Sequence, residues 1–75
     1  MLHEMRIMDG SGDTKVTWEV EKQETVSLAE KLFNAKVGAG FNAYRMFPGG
    51  QPGEQIVDFD PNAGRIVLVP PLAGG

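Results

Sequence analysis

The sequence has no cysteine and only one histidine, one tryptophan and one tyrosine among its 75 residues. Without thiols there is no disulfide framework and no thiolate metal site. A small hydrophobic core must hold the fold, alone or with a partner. A chain of this size is one domain, burying only about 60% of its unfolded surface. No apolar run approaches the roughly 20 residues of a membrane-spanning helix. The opening MLHEMRIMDG carries no apolar secretion segment, so the cytoplasm is the expected compartment. Positive charge is also scarce: 7 Lys and Arg stand against 10 Asp and Glu, a net charge of −3. Phosphate backbones select basic faces, so a nucleic acid is not the expected partner.

Hydropathy patterning supplies the elements. HEMRIMD (3–9) alternates, with Met5 and Ile7 opposite Glu4, Arg6 and Met8. TKVTWEV (14–20) alternates again, with Val16, Trp18 and Val20 on one side. The intervening GSGD (10–13) is turn chemistry, so the two runs predict a β-hairpin. From 24 to 37 the period changes. Val26, Ala29, Phe33 and Val37, with Leu28 and Leu32 beside them, trace one helical face. The helix opens either at a Ser27–Glu30 capping box or a turn earlier at Glu24 and Thr25, and Gly38 and Gly40 stop it. FNAYRMF (41–47), EQIVDF (54–59) and RIVLV (65–69) read as strands, separated by PGGQPG and DPNAG turns. The unbroken apolar run at 66–69 suits a central strand. The order β-β-α-β-β-β predicts an α+β domain over 1–69. Its helix lies across one face of a mixed sheet of four to five strands, the β-grasp arrangement. If the last strand enters beside the first, the two run parallel.

Several motifs fail on context. Asp9, Ser11 and Asp13 space like calcium ligands, but Thr14 and Val20 stand where an EF-hand loop needs Gly and Glu. GAGFNA (38–43) fits a dinucleotide pattern yet follows a helix instead of opening one. His3 lies at what reads as a frayed end, with Met5 as an alternative start. Ser11 and Ser27 have no base nearby in sequence. Asp58 and Asp60 are expected to be a solvated turn shoulder. Trp18 belongs to the core, and Tyr44, Met46 and Phe47 to the core or its rim. No catalytic site and no stably bound cofactor or metal is expected.

The C-terminal segment VLVPPLAGG carries the chemistry. Pro70 and Pro71 cannot donate ladder hydrogen bonds, so pairing ends near Val69. Consecutive prolines favour an extended path, projecting a flexible tail over 70–75 off the sheet edge. Leu72 is an apolar handle; Ala73, Gly74 and Gly75 have almost no bulk. In a chain this rich in glycine, two terminal glycines arise by chance about 2% of the time, so the pair alone is a moderate signal. Its place after a stiff Pro-Pro stalk strengthens it. Such an end suits delivery of a carboxylate into a narrow active site on another protein, where a Cβ would crowd the channel.

IVLVPPLAGG (66–75) resembles the C-terminus of the small subunit of molybdopterin synthase. More broadly, the chain resembles ubiquitin-like proteins: the thiamine-pathway sulfur carrier, tRNA-thiolation carriers and bacterial ubiquitin-like modifiers. The resemblance implies that an activating enzyme adenylates Gly75 at the expense of ATP, with Gly74 keeping the channel clear. The activated end then passes to a sulfur-accepting enzyme as a thiocarboxylate, or to a lysine of a target protein through an isopeptide bond. Val67 and Val69, or Ile66 and Leu68, would belong to the sheet face docked by the enzyme. A protein-interaction module with an incidental Gly-Gly tail is the competing expectation.

Overall fold

The computed structural model describes residues 2–10, 12–47 and 53–71. Its elements are β1 (His3–Asp9), β2 (Gly12–Trp18), α1 (Gln23–Gly38), β3 (Asn42–Met46), β4 (Glu54–Ile56) and β5 (Arg65–Val69). The strands form one mixed sheet in the order β2-β1-β5-β3-β4, with α1 packed on one face. The fold is α+β: one helix on a five-stranded sheet.

Alternation decides which face each strand residue takes. The β1–β2 hairpin pairs His3 with Trp18, Met5 with Val16 and Ile7 with Thr14. These residues face α1, while Glu4, Arg6, Met8, Asp13, Lys15 and Thr17 take the other face. Gly12 has φ +124°, a conformation that favours glycine where the chain turns into β2. β5 enters between β1 and β3. It runs parallel to β1, with Met5 opposite Ile66 and Ile7 opposite Leu68. It runs antiparallel to β3, with Ala43 opposite Leu68. The β5 run is therefore central, as its sequence suggests, and it enters beside the first strand, where the two run parallel.

The core is the meeting of these inward residues with the helix stripe. Met5, Ile7, Trp18, Ala43, Ile66 and Leu68 are buried from the sheet, and Val26, Ala29 and Phe33 from α1. Phe59 adds an aromatic bridge, its ring centroid 5.1 Å from Trp18 and 5.6 Å from Phe33.

α1 opens at the earlier of the two predicted starts. Lys22 is the N-cap and offers no side-chain cap. Thr25, in the first turn, ties down the preceding chain instead: its hydroxyl accepts the Glu19 N–H at 2.9 Å and donates to the Lys22 carbonyl oxygen 2.6 Å away. Ser27 lies inside the helix, so no capping box forms there. At the C-terminus the Phe41 N–H returns to the Lys36 carbonyl, and Gly40 takes φ +102°.

Three expectations change. His3 is not frayed: it is 6% exposed, stacks on Trp18 at 5.4 Å, and its Nδ1 lies 2.7 Å from the Ala63 carbonyl oxygen. β2 stops at Trp18, and Val20 leaves the alternation because the Lys22 N–H returns to the Glu19 carbonyl at 3.0 Å and the Thr25 hydroxyl accepts the Glu19 N–H, folding residues 19–22 into a turn. β4 ends at Ile56; Val57 is 73% exposed, since the chain bends there to send Phe59 into the core. The PGGQPG loop (48–53) lies outside the described residues up to Pro52.

Phe33 is fully buried, whereas Leu28, on the same helix, is 66% exposed. Phe33→Ala should cost about 3–5 kcal/mol, and Leu28→Ala should stay within about 0.5 kcal/mol of the parent. Urea denaturation of the two variants measures the contrast.

Candidate functional site

The strand that carries the tail divides its residues cleanly. Ile66 and Leu68 are fully buried beneath α1. Val67 and Val69 are half-buried on the opposite, helix-free face. Of the two pairs, Val67 and Val69 are therefore the ones that the helix leaves uncovered. Register places Val67 between Arg6 of β1 and Tyr44 of β3, and Val69 beside Asn42. Tyr44 and Met46 are half-buried on this same face, and Met8 is exposed. Phe47 lies just past β3, exposed, with the Arg45 guanidinium 5.4 Å over its ring.

Next to this apolar centre lies a charge cluster. The Glu4 carboxylate accepts from Arg6 Nε at 3.1 Å and is ion-paired with Arg65, whose Nε lies 3.1 Å away, and with Lys15 Nζ at 3.9 Å. The hydrogen bond from Arg6, then the charges of Arg65, Arg6 and Lys15, hold the Glu4 carboxyl below the usual carboxylate range. Arg6 also reaches Asp13 at 3.9 Å. Three cations thus gather around one well-held carboxylate on the open face. A chain of net charge −3 places a local cationic cluster beside Val67. Sequence patterning puts these residues on one face but cannot reveal their convergence, which requires β5 to lie beside β1.

The ladder ends where Val69 meets Asn42. Pro70 and Pro71 follow directly and are exposed. A Cβ placed on Gly40 would lie 3.5 Å from Pro71 Cγ, so Pro71 rests against the turn between α1 and β3. The chain therefore leaves from the end of a central strand, flanked by β1 and β3, and not from a lateral sheet edge. Leu72, Gly74 and Gly75 lie outside the described residues.

The opposite end of β5 holds an open cleft of about 410 Å³, lined by Arg45, Met46, Phe47, Asp60, Asn62, Ala63 and Gly64. Four residue steps, about 13 Å, separate Arg65 from Val69, so the cleft does not adjoin the tail root. Its charged groups are committed to each other. Arg45 Nη1 donates to Asp60 Oδ2 at 2.7 Å, and Arg45 Nη2 pairs with Glu54. Asp60 Oδ1 accepts the Asn62 N–H at 3.0 Å, an Asx turn legible in the Asp-Pro-Asn sequence. Asp60 is thus a half-buried structural acceptor and not a solvated shoulder, while Asp58 is exposed; the two do not act as a pair. No group of three or more His, Cys, Asp or Glu among the described residues could hold a metal ion. No described helix is long and apolar enough to cross a membrane. GAGFNA closes α1 and opens β3.

No family model, curated protein or solved structure matches this chain.

The Arg45 hydrogen bond, foremost, with the Asn62 N–H and the Arg45 charge behind it, lowers the Asp60 carboxyl below its ordinary value. A depressed carboxyl contributes stability in full above its unfolded pKa, and that contribution is lost as pH falls through the folded one. Asp60→Asn should therefore be less stable than the parent at neutral pH. It should also lose less stability between about pH 5 and about pH 2, so that the two urea midpoints converge in acid.

Proposed function

We propose that the chain is a ubiquitin-like β-grasp carrier or modifier. Its C-terminal carboxylate is energised by an ATP-dependent adenylating enzyme. The observation that carries the reading is the placement of the Pro-Pro root directly after the central strand. The body ends at Val69, and the next two residues cannot extend the ladder. Sheet order β2-β1-β5-β3-β4, a central parallel pair and one helix across one face suit the β-grasp. The resemblance of IVLVPPLAGG to carrier tails supplies the chemistry.

In that chemistry a Gly75 carboxylate oxygen attacks the α-phosphorus of ATP and releases pyrophosphate. The acyl adenylate then meets one of two nucleophiles. A sulfur donor displaces AMP to leave a thiocarboxylate for a sulfur-accepting enzyme. Alternatively, an enzyme thiol displaces AMP to give a thioester, which a target lysine amine converts to an isopeptide bond. Gly74 and Gly75 place no Cβ near the reacting carbon. Val67 and Val69, with the Arg6–Lys15–Arg65 cluster beside them, form the face that meets the activating enzyme. Exposed apolar area bordered by charge marks a contact site.

The test uses the full chain, ATP, a sulfide donor and an adenylating enzyme from the same organism, read by intact mass. Replacement of one terminal oxygen by sulfur marks a carrier; a covalent adduct to a protein lysine marks a modifier. Deleting Gly74 and Gly75 should abolish either product. Val67→Asp, with the tail intact, should weaken capture of the enzyme at least about tenfold. If deletion of the two glycines leaves partner binding and cellular role untouched, the chain is an interaction module and the carrier reading fails.

A further inference from the structure

The two lateral edges of the sheet are unlike each other. β4 has three residues, and an edge that short offers little to a neighbouring strand. β2 has seven, in unbroken register with β1 from Trp18 to Gly12, with no proline and no bulge. Among the described residues no strand pairs with its outer side, and Gly12, Asp13, Thr14, Lys15 and Thr17 are exposed. Such an edge presents a row of backbone donors and acceptors to any chain that can match it.

The side chains restrict what can match. Asp13 and Lys15 stand on the helix-free face, two residues apart, with Thr14 between them on the other face. Consider a second copy running antiparallel about a two-fold axis through Thr14. Asp13 of each copy then faces Lys15 of the other, Thr14 faces Thr14, and Gly12 faces Val16. Residues directly opposite have Cβ atoms about 4.5–5.5 Å apart, where opposite charges and threonine pairs stabilise and like charges repel. Centring the axis on Asp13 sets two aspartates face to face; centring it on Lys15 does the same to two lysines. The Asp-Thr-Lys pattern thus admits one register and penalises its neighbours, which is how charge specifies a self-complementary interface.

We propose that β2 is a homodimerisation edge. Two copies join antiparallel across Thr14 into one continuous sheet, with both helices on the same side. Both helix-free faces then lie side by side on the other. The inference is independent of the tail chemistry. A seven-residue edge falls at the small end of interface sizes, so the dimer is a weak one, with a dissociation constant between about 10 µM and about 1 mM.

Sedimentation equilibrium across that range, with circular dichroism to confirm folding, tests it. The wild-type chain should show mass rising toward the dimer with concentration. Asp13→Lys and Lys15→Asp each place like charges opposite one another twice, and each should weaken the dimer about tenfold or more. The two variants mixed in equal amounts regain both opposite-charge pairs and should associate with each other. The double variant, carrying both changes in one chain, should dimerise as the wild type does. A wild-type chain that stays monomeric to about 1 mM overturns the proposal. So do single variants that dimerise as tightly as wild type, or a mixture and double variant that remain monomeric while folded.

Discussion

The structure depends on the parallel pairing of its first strand with its last. Met5 against Ile66 and Ile7 against Leu68 bring fully buried residues from the two ends of the chain into one layer under α1. Further contacts reinforce the seam. The Glu4 N–H reaches the Gly64 carbonyl at 3.2 Å, His3 reaches Ala63, and Trp18 Nε1 donates to the Pro61 carbonyl at 2.9 Å. Partners about sixty residues apart must find one another before these contacts form, and loop-closure entropy opposes them until they do. A parallel pair cannot be closed by a tight turn, so the helix and three strands between are the crossover that makes it possible.

The same pairing organises the candidate site. With β5 in the middle, its alternate residues must serve two purposes: Ile66 and Leu68 fill the core, and Val67 and Val69 remain on the open face. Arg65 is brought to Glu4, where Arg6 and Lys15 already converge. The chain leaves the body at Pro70–Pro71 from a strand that is paired on both sides. A partner that reads Val67 and its cationic border and also engages the chain end would sense one strand twice.

Local pattern carried a good part of this. The apolar run from Ile66 to Val69 announced a central strand, and the 3- and 4-residue spacing of Val26, Ala29 and Phe33 announced the helix face. The prolines marked the end of pairing at Val69. What patterning could not show were effects of distant partners. His3 is buried because the turn at Pro61–Gly64 closes over it, an arrangement that no neighbour in sequence signals. Val20 continues an alternation that Thr25 interrupts from the first turn of α1. Val57 looks like strand until the core's demand for Phe59 bends the chain. The Asp60–Arg45 pair unites a turn with β3, and only the Asx half of it is local. The choice between Val67/Val69 and Ile66/Leu68 required knowing which side the helix covers.

Native-state hydrogen exchange, residue by residue, tests the central pairing most directly. Amides bonded across β1 and β5, from Met5 to Ile7 and from Ile66 to Leu68, should be the slowest in the protein and should exchange only through global unfolding. Those of the edge strand β4 should open at lower free energy. If β1 exchanges at fraying rates, or β5 no more slowly than β4, then the first and last strands are not the seam that closes the body, and the anchored root of the tail is lost with it.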